Sequence, residues 1–119
     1  MIIVKDTFYC KEEIEKLREV FDVYIKTVID VNKKICCAGP DRHFECEQIL
    51  LEKGSKQNNL WGGGIDIETK EIDCNSMINI RPKDDNRSNE IQNPQIRENF
   101  ENLTRAFFKE FYDTKPIRD

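Results

Sequence analysis

A chain of 119 residues has room for one domain with a core of its own, so residues 1–119 are expected to form a single domain. With 38% hydrophobic and 35% charged residues the composition excludes a disordered chain, and a net charge of −4 excludes a global basic field, so nucleic acid is not an expected partner. No run approaches the roughly 20 apolar residues that span a bilayer, and charge arrives at Lys5 and Asp6, too early for a secretion signal, so the expectation is a cytoplasmic chain with no membrane partner.

Residues 2–4 read as a short first strand. A helix is expected over 11–21, with Ile14, Leu17 and Phe21 on one face and Glu12, Glu13, Lys16 and Glu19 outside. Residues 23–31 alternate, Val23, Ile25, Thr27, Ile29 and Val31 facing one way, which predicts a half-buried strand. Asn32 and Lys33 turn it into a second strand over 34–38. Gly39 and Pro40 then break the strand, Pro40 opening a second helix over 41–53, with Gly54 as its C-cap. A strand weakened by Gly62, Gly63 and Gly64 follows over 60–67, then one over 72–81 in which Ile72, Cys74, Ser76, Ile78 and Ile80 share a face. Asn93 reads as the N-cap of a last helix with Pro94 at its first position. Ile96, Phe100, Leu103, Phe107 and Phe111 form its stripe, and the tail after Tyr112 reads as frayed. The order β-α-β-β-α-β-β-α predicts an α+β fold, a mixed and largely antiparallel sheet with helices packed on it.

The cysteines at 10, 36, 37, 46 and 74 are odd in number and read as reduced thiols. Cys36 and Cys37, adjacent on a strand, point to opposite faces, and their spacing to His43 and Cys46 departs from that of paired metal ligands, so buried small hydrophobes are the expectation and no metal. No cofactor motif is legible. Residues 54–62 follow a helix instead of opening one and lack the Gly-Lys-Ser/Thr ending of a phosphate loop.

Three segments carry a resemblance: His43-x-Glu45-Cys46-Glu47-Gln48-x-Leu50-Leu51-Glu52-x-Gly54-Ser55-Lys56-Gln57-x-x-Leu60-Trp61-Gly62, then Ser76-Met77-Ile78-Asn79-Ile80-Arg81-Pro82, then Asn86-Arg87-Ser88-x-x-Ile91. With these, and with Ile3-Val4-Lys5-Asp6 at its start, the chain resembles, over nearly its whole length, a family of small uncharacterised prokaryotic proteins defined only as a domain of unknown function. It departs from that pattern at Gly63-Gly64. The resemblance implies no activity, substrate or cofactor.

Function must therefore be argued from the residues. Asn79 and Arg81, two apart on the expected strand, project from one face, and Asn86, Arg87 and Ser88 follow where it ends. Antiparallel pairing of 60–67 with 72–81, turning near Thr69 and Lys70, would bring this group beside Lys56, Gln57 and Trp61 and the start of the last helix. Guanidiniums with amide and hydroxyl donors form a clamp for an anion, and free amides at that helix start would add to it. The competing reading is that Asp73, Asp84 and Asp85 hold these arginines as structural ion pairs. His43, the single histidine, sits at the start of the second helix.

A binding module for a small anionic ligand or a partner's carboxylates is the first expectation. The alternative is a small hydrolase or nuclease-like enzyme with His43 as general acid/base and Arg81 stabilising negative charge. A third is a structural homodimer, prompted by Phe108 lying off the stripe of the last helix.

Overall fold

The alternation read over 23–31 builds β2 (Tyr24–Asp30), the central strand of the sheet. The computed structural model describes residues 1–113. In it β1 (Ile3–Lys5), β2, β3 (Ile35–Ala38), β4 (Leu60–Asp66) and β5 (Ile72–Asp73) form one antiparallel sheet in the order β1-β3-β2-β4-β5. The helices are α1 (Lys11–Leu17), α2 (His43–Glu52), α3 (Pro94–Phe107) and α4 (Lys109–Tyr112). This is the expected α+β architecture, with the sheet antiparallel throughout.

Both faces of the sheet are covered. On one, Ile25 and Ile29 of β2, Cys36 and Ala38 of β3 and Trp61 and Ile65 of β4 pack with Ile14 and Leu17 of α1 and Phe100 and Phe107 of α3. On the other, Val28, Cys37 and Leu60 lie under Cys46 and Leu50 of α2. The adjacent Cys36 and Cys37 thus enter opposite cores, as strand alternation requires. Two residues along β2 from Val28, at Lys26, the cover passes to the first residues of α2 and to a 3-10 turn (Met77–Asn79), and a cavity opens between them.

Local signals account for the ends of the elements. Asn93 Oδ1 accepts from the amides of Gln95 and Ile96, with Pro94 at the first helical position, as expected. Gly54 follows α2 at φ +100°, a conformation that glycine adopts without cost. Asp30, fully buried at the end of β2, accepts from the amides of Asn32 and Lys33 and from Ser55 Oγ, so one carboxylate ties the β2–β3 turn to the loop after α2.

Several expectations need correction. The helix expected over 11–21 stops at Leu17, and Phe21 is partly exposed beneath the Lys26 ammonium, 4.8 Å from its ring centroid. Pro40 does not open α2, whose N-cap is Arg42. The strand expected over 72–81 pairs with β4 only at Ile72 and Asp73, opposite Ile65 and Gly64, and the chain then bends through two 3-10 turns, Met77–Asn79 and Pro82–Asp84, with single bridges from Asn75 to Glu90 and from Arg81 to Asn86. The apolar alternation there misleads because a side chain replaces the strand. The Asn79 amide receives Gly62 N–H at 2.8 Å and donates to Gly62 O at 3.0 Å, satisfying the edge of β4 as a paired strand residue would. From Asn79 onward the burial pattern inverts accordingly: Asn79 and Arg81 are buried, while Ile80 is 45% exposed.

Phe108 also corrects an expectation. The last helix breaks between Phe107 and Lys109, the phase shifts, and Phe108 turns inward to stack on Tyr9 at 4.8 Å, fully buried. The aromatic that prompted a homodimer belongs to the chain's own core. The tail expected to fray after Tyr112 lies, apart from Asp113, outside the described residues. Among the described residues no helix is long and apolar enough to cross a membrane.

Candidate functional site

The two polar loops do converge. Lys70 (φ +66°) turns the chain between β4 and β5, Arg81 Nη1 donates to Leu60 O at 2.9 Å, and the Arg81 guanidinium lies 4.3 Å from the Trp61 ring centroid. The donors gathered there are taken up by the fold. Besides Gly62 O, Asn79 Nδ2 donates to Cys74 O and Asn89 O. Asn86 Nδ2 donates to the carbonyls of Asn79, Ser88 and Glu90, and its Oδ1 accepts from Gln92 N. Arg81 pairs with Asp84 through Nε at 2.9 Å and donates again to Ile78 O. Arg87 pairs in the open with Asp85 at 2.8 Å, and Ser88 Oγ accepts from Glu90 N. Lys56 and Gln57 are exposed at a 3-10 turn, Gln57 reaching Glu47 at 3.4 Å.

The amides at the start of α3 are not free. Asn93 caps Gln95 and Ile96, and Arg97 N donates to Asn93 O. A cavity of about 200 Å³ does open here, but Asp84 and Asp85 line it with Trp61, Asn86 and Gln92, an unfavourable field for an anion. Within this cluster one donor, Arg81 Nη2, is sealed from solvent without a partner.

Two arginines of one loop are thus held very differently, and this can be measured. Arg81→Ala strands the carbonyls of Leu60 and Ile78 and removes the cover from Trp61, so it is expected to cost about 2 kcal/mol in denaturant unfolding. Arg87→Ala breaks a pair whose members are 66% and 94% exposed and should leave the midpoint unchanged. Equal midpoints for the two variants would contradict this account of Arg81.

His43 sits elsewhere. It is the first residue of α2 and lines the cavity of about 270 Å³ between α2 and the Met77–Asn79 turn, with Lys26 of β2, Arg42, Phe44, Ser76, Met77 and Ile78. Its Nε2 lies 2.7 Å from Gly63 O. A carbonyl only accepts, so Nε2 carries the proton and Nδ1 of the neutral ring is the acceptor. This approach needs a bare strand. A β-carbon on Gly62 would lie 3.1 Å from His43 Cδ2 and 2.8 Å from Ser76 Oγ. The Cδ2 edge of the ring therefore faces Gly62, and Nδ1 lies on the opposite edge. Nδ1 has no partner among the described residues and is not sealed from solvent, unlike Thr27 Oγ1 and Arg81 Nη2. Burial first, and the Lys26 ammonium after it, hold the imidazole below the ordinary histidine range, against the opposing effects of the Gly63 carbonyl and Asp73.

The charged side chains that line this cavity are of one sign. Lys26 and Arg42 line it and no carboxylate does, whereas four other cavities on the described surface each carry an aspartate. Lys26 Nζ donates to Asp41 O at 2.6 Å, and neither Lys26 nor Arg42 has an ion-pair partner among the described residues. At the start of α2 the Glu45 carboxylate accepts from Arg42 N, and no side chain caps the amides of His43 and Phe44. Phe44 (57% exposed) and Met77 supply apolar walls.

Sequence reasoning found His43 and missed its companions. One signal was legible: Arg42 stands at an N-cap, where Ser, Thr, Asp or Asn would close the first amides. The approach of Lys26 from β2 could not be read. Nor does His43 share a cleft with Arg81. The cavity at His43 opens at the start of α2, while Arg81 covers Trp61, whose ring belongs to the core of the other face. Ser76 Oγ accepts from Ile78 N and makes no hydrogen bond to His43 among the described residues, so no nucleophile–base pair is formed there. Among the described residues no three His, Cys, Asp or Glu side chains group to hold a metal ion.

The fold and its cavity define a small α+β protein with a five-stranded antiparallel sheet between helices and one basic, partly apolar recess beside the single histidine. The chain belongs to the family described as "Protein of unknown function (DUF5674)", whose model matches residues 2–107. No curated protein and no solved structure matches it.

Proposed function

We propose that this chain is a binding module for a small anion, received in the recess at the start of α2. The observation that supports this reading is the pair of cations, Lys26 and Arg42, neither neutralised by a carboxylate, beside the open Nδ1 of His43. In a chain of net charge −4 a recess of this sign is a local exception. The uncapped amides of His43 and Phe44 add the positive end of α2, and Phe44 and Met77 favour an anion with an apolar arm. A carboxylate presented by a partner protein would be recognised by the same groups.

The test is titration of wild type, Lys26→Ala and Arg42→Ala with carboxylates and phosphates, followed by calorimetry and by the imidazole NMR signal, which is unique because the chain has one histidine. Each substitution is expected to weaken binding about threefold, more steeply at low salt, as for the loss of an exposed cation. Affinities unchanged in both variants would remove the reading.

A further inference from the structure

Resting on that reading, we infer that the recess takes its ligand together with a proton: an oxyanion on an apolar arm binds with a proton held between His43 Nδ1 and the nearest anion oxygen. The geometry around the ring carries this. Nε2–H is committed to Gly63 O at 2.7 Å, so the ring would have to give up this bond to offer that N–H to a ligand. That leaves Nδ1, a lone pair that has no partner among the described residues and is not sealed from solvent. Beside it Lys26 and Arg42 present only donors. An unprotonated anion satisfied by those donors would meet the Nδ1 lone pair with its own, which is repulsive. One proton turns that contact into a charge-assisted hydrogen bond.

The titratable and charged groups facing the ring are Lys26 from β2, Asp73 from β5 and Arg42 at the N-cap of α2. In the free site burial and Lys26 favour the neutral ring, against the Gly63 carbonyl and Asp73. An anion between Nδ1 and the two cations offsets Lys26 and favours imidazolium, so binding raises the tendency of His43 to protonate. By linkage the anion then binds more tightly as pH falls, by up to about tenfold per pH unit while the ring is neutral in the free protein and protonated in the complex.

Benzoate and phenyl sulfate separate the outcomes, because both stay fully ionised between about pH 6 and 8 and any pH dependence belongs to the protein. Their affinities for wild type are expected to rise as pH is lowered across that range. Calorimetry in buffers of different ionisation heat should show up to one proton taken up per anion, and the imidazole signal should move to its protonated position on saturation. His43→Gln should flatten the pH profile. Where that variant does not fold, the wild-type imidazole shift and proton count decide. Binding with a flat pH profile and no proton uptake overturns this inference and leaves the anion reading standing. No binding of either anion to wild type at any pH removes both.

Discussion

Asn79→Ala is expected to lower the unfolding free energy by about 3–5 kcal/mol, a large share of the roughly 5–15 kcal/mol that holds a domain of this size. The Asn79 side chain is fully buried and bonds four main-chain groups: Gly62 N–H, Gly62 O, Cys74 O and Asn89 O. Alanine leaves the buried Gly62 N–H and Gly62 O without a partner, while Cys74 O and Asn89 O lose one bond each and keep the amides of Ile91 and Ser76; each stranded group costs about 1–3 kcal/mol, and the space left by the amide adds to this. Asn79→Asp should be worse, since it keeps the acceptor for Gly62 N–H but turns an oxygen, charged or not, toward three carbonyls. Denaturant unfolding measures both variants, and amide exchange should show Gly62 N–H opening before the centre of β2. A loss below about 1 kcal/mol for the alanine variant would mean that the 3-10 segment after β5 can repack without this amide.

Gly63→Ala is the second large effect. A β-carbon there would lie 2.2 Å from Asp73 O, which is backbone, and 2.7 Å from Phe100 Cε1, in a ring that is fully buried. Neither neighbour has room to retreat, so the clash must separate β4 from β5 or push α3 off the sheet. A cost of about 3 kcal/mol or more is expected, at the upper end for overpacking a core. Gly62→Ala tests the mechanism, because its β-carbon would meet the side chains of Ser76 and His43 at the edge of the recess instead of backbone. It should be milder in stability and should disturb the His43 signal first. Equal melting temperatures for Gly63→Ala and wild type would contradict the close approach of α3 to β4.

Local patterns made much of the fold legible. Alternation over 23–31 placed β2, Gly54 and Asn93 marked the ends of helices, and the neighbouring cysteines were placed correctly on opposite faces, because capping, φ preference and strand alternation act within a few residues of the chain. The antiparallel return of β5 beside β4 was legible for the same reason, from the turn near Lys70. The turn chemistry around Asp30 was not, because its buried carboxylate also needs Ser55, 25 positions away.

Residues 72–81 show where local pattern stops being sufficient. Alternating Ile72, Cys74, Ser76, Ile78 and Ile80 fit a strand, yet only tertiary contact reveals that the Asn79 amide occupies the edge of β4 at Gly62 and draws the polar side of this segment inward. The candidate site followed the same logic. Asn, Arg and Ser in two loops are chemically suited to an anion, and sequence alone does not say whether such donors face solvent or main-chain carbonyls. Packing turned Asn79, Arg81 and Asn86 toward the fold's own backbone and left Lys26 and Arg42 without counter-ions beside His43. Composition, periodicity and caps are local and determined the α+β class and the order of its elements. Which charges remain unpaired depends on separations across the sheet, and that was decided only when β2, the start of α2 and the turn Met77–Asn79 met around one recess.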